Sequence, residues 1–334
     1  MLANTSLSLS SGDFSLDRRV DWARGLLARG DTASTIDLLR ETIETAPGFL
    51  AAWFMLGEVL ERTGERDEAI GAYRRVVTLD PEDKLGASLR LARLEKRKPE
   101  GMPPAYVRTL FDQNAARFEN DLLQTLSYRG PQMLREAVER TAKARRKPAR
   151  FLRVLDLGCG TGLMGAEIRE LASDLVGVDL SPGMITHAQA KEIYDRVAVG
   201  DLVEFLDEEE GDFDLVLAAD VFTYLQDLRP VLAAVRERLA PGGLVAFTIE
   251  THRGGGVVLH EALRFAHGEK HVREAAKAAR LDVAVLERAS TRTEKGKPVA
   301  GLLAVLSRRG AQSRRNTRLA SRPVRSASSA VPRP

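Results

Sequence analysis

From Phe151 onward the hydrophobic pattern alternates between two periods. Apolar runs of strand length (FLRVLDLGC, DLVGVDLS, FDLVLAAD and LVAFTIE) alternate with stretches of helical spacing, GLMGAEIREL, GMITHAQAKEI and LRPVLAAVRERL. VAVGDLVEFL reads as a short strand followed by a helical turn, and an Ala- and Arg-rich helix, EKHVREAAKAARL, comes after the last of these strands. Such alternation predicts a doubly wound α/β sheet. The final pair, DVAVLERASTRTE and KPVAGLLAVLS, joined by EKGK, reads as a β-hairpin that puts one antiparallel strand at the sheet edge. Ahead of this region, residues 17–96 carry helical spacing throughout, and 105–150 read as two more helices, the second following the break at Arg129-Gly130-Pro131.

Within the first helical region Trp53, Leu56, Gly57, Leu60, Ala69, Tyr73 and Pro81 fall at the offsets of a tetratricopeptide unit, and stepping back 34 residues from Gly64 and Pro81 gives Gly30 and Pro47. Gly57 and Ala69 are small where two helices cross, Trp53 and Tyr73 fill the groove between them, and Pro81 ends the second helix. In the weaker first copy Trp22 stands where Leu56 stands later. The region resembles a short tetratricopeptide array of two copies and a closing helix. About three repeats are needed for independent stability, so this array leans on the rest of the chain or on itself in a dimer.

Composition adds three constraints. No apolar run approaches a membrane span, and the N-terminus lacks the basic and apolar regions of a secretory signal, so a cytoplasmic setting is expected. The single cysteine, Cys159, excludes an internal disulfide and a cysteine-based metal site, and no metal is expected. The net charge of +3 is uneven: residues 310–334 hold six arginines and no acid, which leaves −3 for the remainder. That basic, Ser- and Pro-rich tail is expected to be disordered. Its bland reading is a solvated tail; its sharper one is contact with nucleic acid or an acidic partner.

The chemistry concentrates in VLDLGCGTG, Val154 to Gly162. A strand, then glycines at 158, 160 and 162, then a helix is the arrangement that lets backbone N–H groups approach a polar ligand. Asp179 closes the next strand 21 residues after Gly158, a spacing that suits a carboxylate accepting from a ribose diol. Gly160-x-Gly162-x-x-Gly165 matches the dinucleotide fingerprint literally, but Asp156 just before the loop would repel a pyrophosphate and suits a cationic ligand.

Five stretches in order, VLDLGCGTG, GVDLSPGM, VGDLVEF, FDLVLAADVFTYLQDL and LAPGGLVAFTIE, resemble the class I S-adenosylmethionine-dependent methyltransferases over roughly residues 105–307. With the repeats and the segments FDQNAARF and LSYRGP, the layout is similar to bacterial tetratricopeptide-containing predicted methyltransferases. The resemblance implies a seven-stranded sheet and S-adenosyl-L-methionine as cofactor. It implies that Gly158, Gly160 and Gly162 wrap the methionine and ribose, with Asp156 helping to hold the ammonium end. Asp179 would accept from the ribose, Leu180 and Met184 would sandwich the adenine, Asp201 would accept from its amino group, and the Leu202 N–H would donate to a ring nitrogen. Ala219 and Asp220 would lie beside the methyl group, and Tyr128 would touch the cofactor. Met184 reads equally as a core residue and Asp201 as a helix cap.

Methyl transfer needs a base only where the acceptor must first lose a proton. The candidates are Asp220, Tyr224, His252, His260 and His267, with His252, His267 and Asp220 preferred. AADV is not the Asn-Pro-Pro-aromatic pattern of enzymes that methylate planar nitrogens. Helices bearing Phe111, Phe118 and Tyr128 are expected to form a lid, and Thr251 to Phe265, with Gly254 to Gly256, a mobile substrate loop. The chain then divides into a flexible N-terminus (1–16), repeats (17–96), a linker (97–104), lid helices (105–150), the methyltransferase domain (151–309) and the basic tail (310–334). A small-molecule acceptor is the first expectation; a protein recruited by the repeats, or a scaffold that binds cofactor without turnover, is the alternative.

Overall fold

The computed structural model describes residues 9–309; the basic tail and the first eight residues lie outside the described residues. The helical repeats comprise α1 (Phe14–Ala28), α2 (Thr32–Thr45), α3 (Leu50–Thr63), α4 (Arg66–Leu79) and α5 (Ala87–Leu94). The first helix begins at Phe14, three residues earlier than its spacing suggests. Asp13 caps it by accepting from Ser15 N and Leu16 N, and Asp17 accepts from Ser11 N at 2.7 Å.

Gly57 is small for a physical reason: a Cβ there would stand 2.7 Å from the Tyr73 ring. Tyr73 packs on Phe54, with ring centroids 5.8 Å apart, rather than sharing the groove with Trp53. Trp53 is half-buried and turns its Nε1 to the Pro47 carbonyl at 3.0 Å. Trp22, which the repeat offset equates with Leu56, is 64% exposed.

The linker leads to α6 (Pro104–Asn114), a 3-10 turn at 115–117, α7 (Phe118–Asn120), a π turn at 121–125, and α8 (Gly130–Ala144). Of this segment, residues from Pro104 to Pro131 border the cavity described below. Leu134, Ala137 and Val138 of α8 instead cover one face of the sheet, against Val154, Leu215 and Leu303. The amphipathic stripe of α8 fits it for that flat apolar surface better than for a lid.

The sheet order is β3-β2-β1-β4-β5-β11-β8. Its strands are β1 (Phe151–Leu157), β2 (Ala172–Asp179), β3 (Arg196–Val199), β4 (Phe213–Ala218), β5 (Leu239–Glu250), β8 (Leu281–Ala289) and β11 (Gly301–Arg308). Between them come α9 (Leu163–Ile168), α10 (Pro182–Ala190), α11 (Leu202–Glu208), α12 (Arg229–Arg238), the short strands β6 (Val257–Leu259) and β7 (Phe265–His267), α13 (Glu269–Ala278), and the β9–β10 pair (Thr293–Glu294, Lys297–Pro298). Alternate residues of β4 serve opposite faces: Val216 and Ala218 join α12 and α13, while Leu215 and Leu217 join α8.

The antiparallel strand is not at the edge. β11 is antiparallel to both β5 and β8 and sits between them. Burial explains the exchange: GLLAVLSR is buried along nearly its whole length, whereas LDVAVLERA alternates with polar residues and takes the half-solvated edge.

Residues 251–265 are structured too. β6 pairs antiparallel with β7, and Leu263 is buried in the same core as Leu56, Leu60 and Leu89 of the repeats. That shared core also holds Tyr106 and Leu110 of α6. Arg93 of α5 donates to the Glu261 carbonyl at 2.9 Å. The repeats therefore lean on the α/β domain. No helix among the described residues is long and apolar enough to cross a membrane.

Candidate functional site

The strand order reverses between β1 and β4, and the crevice at their carboxyl ends is where open α/β sheets bind ligands. Two loops meet there so closely that a Cβ on Gly158 would lie 2.5 Å from Val221. Gly158 also has φ +65°, a conformation that L side chains rarely adopt. The loop is strapped to β2: Cys159 N donates to the Val178 carbonyl, and Gly160 N donates to Asp179 Oδ2, both at 2.9 Å.

Above this floor lies a cavity of about 230 Å³. Of the residues expected at the cofactor, Gly158, Gly160, Asp179, Leu180, Asp201, Leu202, Ala219 and Tyr128 line it. Asp179 is buried, and burial pushes its carboxyl up while the N–H groups of Ser181 and Gly160 hold it down. Asp201 caps α11 through Oδ1, which accepts from Val203 N and Glu204 N at 2.8 and 3.3 Å. Capping thus occupies one oxygen of a carboxylate that also borders the cavity, so both readings of Asp201 fit one side chain. Cys159 borders the cavity as well, and burial pushes its thiol up, out of nucleophilic range.

Three of the expected residues do not reach the lining. Asp156 is buried beneath the loop, where Oδ2 accepts from the Tyr194 hydroxyl at 2.7 Å. Burial pushes its carboxyl up to about 7. Gly162, with φ +94°, opens α9 and backs onto Tyr194. Met184 is fully buried in α10, so the core reading of this residue is the one the structure favours.

The preferred histidines are not where a base is needed. His267 is fully buried, and its Nε2 lies 3.0 Å from the Leu225 carbonyl. Burial, then the neighbouring His271, pushes its imidazole down to about 3, so it stays neutral and takes up no proton at working pH. His252 staples the glycine turn: Gly254 N donates to its Nδ1 at 3.0 Å and its Nε2 meets the Gly256 carbonyl at 2.9 Å. Neither histidine borders the cavity, nor does His260. Asp220 and Tyr224 do. Asp220 has φ +58° and is held on all sides. Thr248 and Thr291 donate to it at 2.7 and 2.9 Å, and Arg292 Nη1 at 2.6 Å. A carboxylate so paired works as an anchor.

The lid segment crosses the top of the cavity. Phe118 stands 3.7 Å from where a Gly160 Cβ would be. Phe118 meets Phe111 edge to face at 5.8 Å, and Phe111 meets Tyr224 at 5.3 Å. Two ties hold the lid to α10: Asp112 accepts from Gly183 N at 3.0 Å and from the Ser181 hydroxyl, and Glu119 pairs with Lys191.

Sequence reasoning missed an ion cluster that borders the same cavity. Arg264 Nε donates to Glu250 at 2.5 Å, and its Nη2 to Glu294 at 2.6 Å. Arg292 donates to Glu250, to Glu294 at 3.2 Å and to Asp220. The missed signal lay in charged residues within segments read as a loop and a hairpin end. Strand spacing gave no hint that both tips turn inward.

A family model described as a methyltransferase domain matches residues 155–245, and one described as a tetratricopeptide repeat matches residues 20–84. Methyltransferase-like protein 27 of Homo sapiens is 37% identical over 172 residues, which are 50% of this chain and 67% of that protein. Ubiquinone biosynthesis O-methyltransferase of Azorhizobium caulinodans is 36% identical over 103 residues, 30% of this chain and 40% of that protein. This chain thus spans about two thirds of the first relative and less than half of the second. The solved structure of an S-adenosylmethionine-dependent methyltransferase from Clostridium acetobutylicum aligns with a TM-score of 0.45 at 16% identity, covering 59% of this chain and 99% of that one.

Proposed function

This chain belongs to the class I S-adenosylmethionine-dependent methyltransferases, and from that premise we propose that it methylates an oxygen or nitrogen of a small molecule held in the cavity between the glycine loop and the ion cluster. The chemistry of the lining suits the cofactor. Asp179 offers buried carboxylate oxygens that each accept one backbone N–H and retain a lone pair for a hydroxyl. Leu180, Leu202 and Phe118 offer apolar contact for a flat base, and Asp201 an acceptor beside it. Asp156 acts at one remove, by fixing Tyr194 under the loop.

When bound, S-adenosylmethionine supplies a methyl group already activated on a positively charged sulfur. The chain's own part is to bind, orient and exclude water. Phe111, Phe118, Leu122 and Tyr128 serve the last of these from the lid.

One observation carries the small-molecule reading. The same cavity that borders Gly158, Gly160 and Asp179 is also lined by Met102, Val107 and Tyr224, which pack on the core of the repeats. The repeats thus back a wall of the pocket that the linker, α6 and the turn after β4 provide, which argues against their acting only as a free recruiting arm. Incubating the purified chain and methyl-labelled cofactor with lysate, then separating small-molecule, protein and nucleic-acid pools, tests this. Label should enter the small-molecule pool. Label in protein would favour the recruited-protein reading, and label in no pool, with cofactor binding intact, the scaffold reading.

A further inference from the structure

The ion cluster has one unfinished edge. Arg264 is only 7% exposed, borders the cavity, and uses Nε and Nη2 on Glu250 and Glu294. Its Nη1 has no hydrogen-bond partner among the described residues. The hydroxyl of Tyr224, also in the lining, has none either. A guanidinium edge that borders a cavity with no protein acceptor on it leaves an N–H available to a ligand.

The charge around it restricts that ligand. Arg264 and Arg292 face Asp220, Glu250 and Glu294, so one formal negative charge is in excess. A carboxylate would satisfy the Arg264 edge but meet that excess in a poorly solvated site. An ammonium would suit the excess but is donor-only, and so leaves Nη1 unpaired. A hydroxyl accepts from Arg264 and donates to the free side of Glu294 or to Tyr224. The neighbouring lining is apolar and aromatic, with Phe118, Phe111 and Tyr224 in mutual ring contact.

We propose that Arg264, Tyr224 and Glu294 form the head-group subsite of the acceptor, selecting an aromatic or similarly flat apolar molecule with an uncharged hydroxyl over its carboxylate or ammonium counterpart. This rests on the reading that the cavity holds the methyl acceptor.

The probes are phenol, benzoate and benzylamine, titrated into the full chain saturated with S-adenosylhomocysteine and followed by saturation-transfer NMR. Phenol should bind about tenfold more tightly than either charged probe, the scale of one hydrogen bond to a charged group. Arg264→Gln should weaken phenol by a similar factor. Glu294→Gln removes the excess charge and should strengthen benzoate severalfold; it keeps the test open if Arg264→Gln fails to fold. Benzoate or benzylamine equalling phenol, no probe binding at all, or both variants leaving the probe affinities unchanged would overturn the proposal. Calorimetry of S-adenosylhomocysteine with the unliganded chain reports on the family reading separately, because that reading puts the ligand on the glycine loop and Asp179 rather than on Arg264 and Glu294.

Discussion

Asp179 is the residue on which the glycine loop and the proposed ribose contact converge, since its Oδ2 holds Gly160 N and its Oδ1 holds Ser181 N. Asp179→Ala should weaken S-adenosylmethionine binding by about 1–3 kcal/mol in a calorimetric titration; unchanged affinity would remove the ribose role. His267 gives a prediction in pH. Its ring sits near 3 when folded, against an ordinary 6.5. The stability this contributes is complete above 6.5 and is lost as pH falls toward 3, because only the unfolded chain takes up the proton there. In that window the slope approaches about 1.4 kcal/mol per pH unit from this group. Chemical denaturation of His267→Gln should show a shallower acid limb, and an identical limb would contradict the buried, neutral ring. The difference between these two residues explains what could be read from the chain alone. The place of Asp179 at the cavity was legible because the strand after a glycine loop ends at a set spacing from it. His267 was not, because a histidine after a strand looks the same whether its side chain enters a cavity or the core beside it.

At the level of elements, Gly57 and Tyr73 decide how closely α3 and α4 approach. Gly57→Val should lower stability by about 1–3 kcal/mol through overpacking against the Tyr73 ring. A thermal melt that does not move would mean that the two helices separate freely. The repeats were readable because their small residues recur at a set period, and the strands because β1, β4 and β5 are apolar runs of strand length. Two elements were harder. The stretch 251–265 is rich in glycine, yet Leu263 anchors it in a core whose other members include residues of α3, α5 and α6, far away in sequence. α8 resembles a lid helix in sequence, and only its partners, Val154 and Leu215 on the sheet, reveal that it covers a face.

For the whole molecule, the shared core makes the repeats part of the enzyme's fabric. Removing residues 1–100 would uncover Tyr106, Leu110 and Leu263, each worth about 1.5–3 kcal/mol when buried. The shortened chain should therefore lose its cooperative melt and bind a hydrophobic dye. A sharp transition like that of the full chain would show two self-sufficient units. The polar end of the cavity depends on an equally distant arrangement, since Arg292 and Glu294 are carried on the connection between β8 and β11. With β11 lodged between β5 and β8, the ribosome releases an inner plank of the sheet after both of its neighbours. Until β11 emerges, β8 has no strand to pair with, so the sheet that carries the Arg292–Glu294 connection closes last.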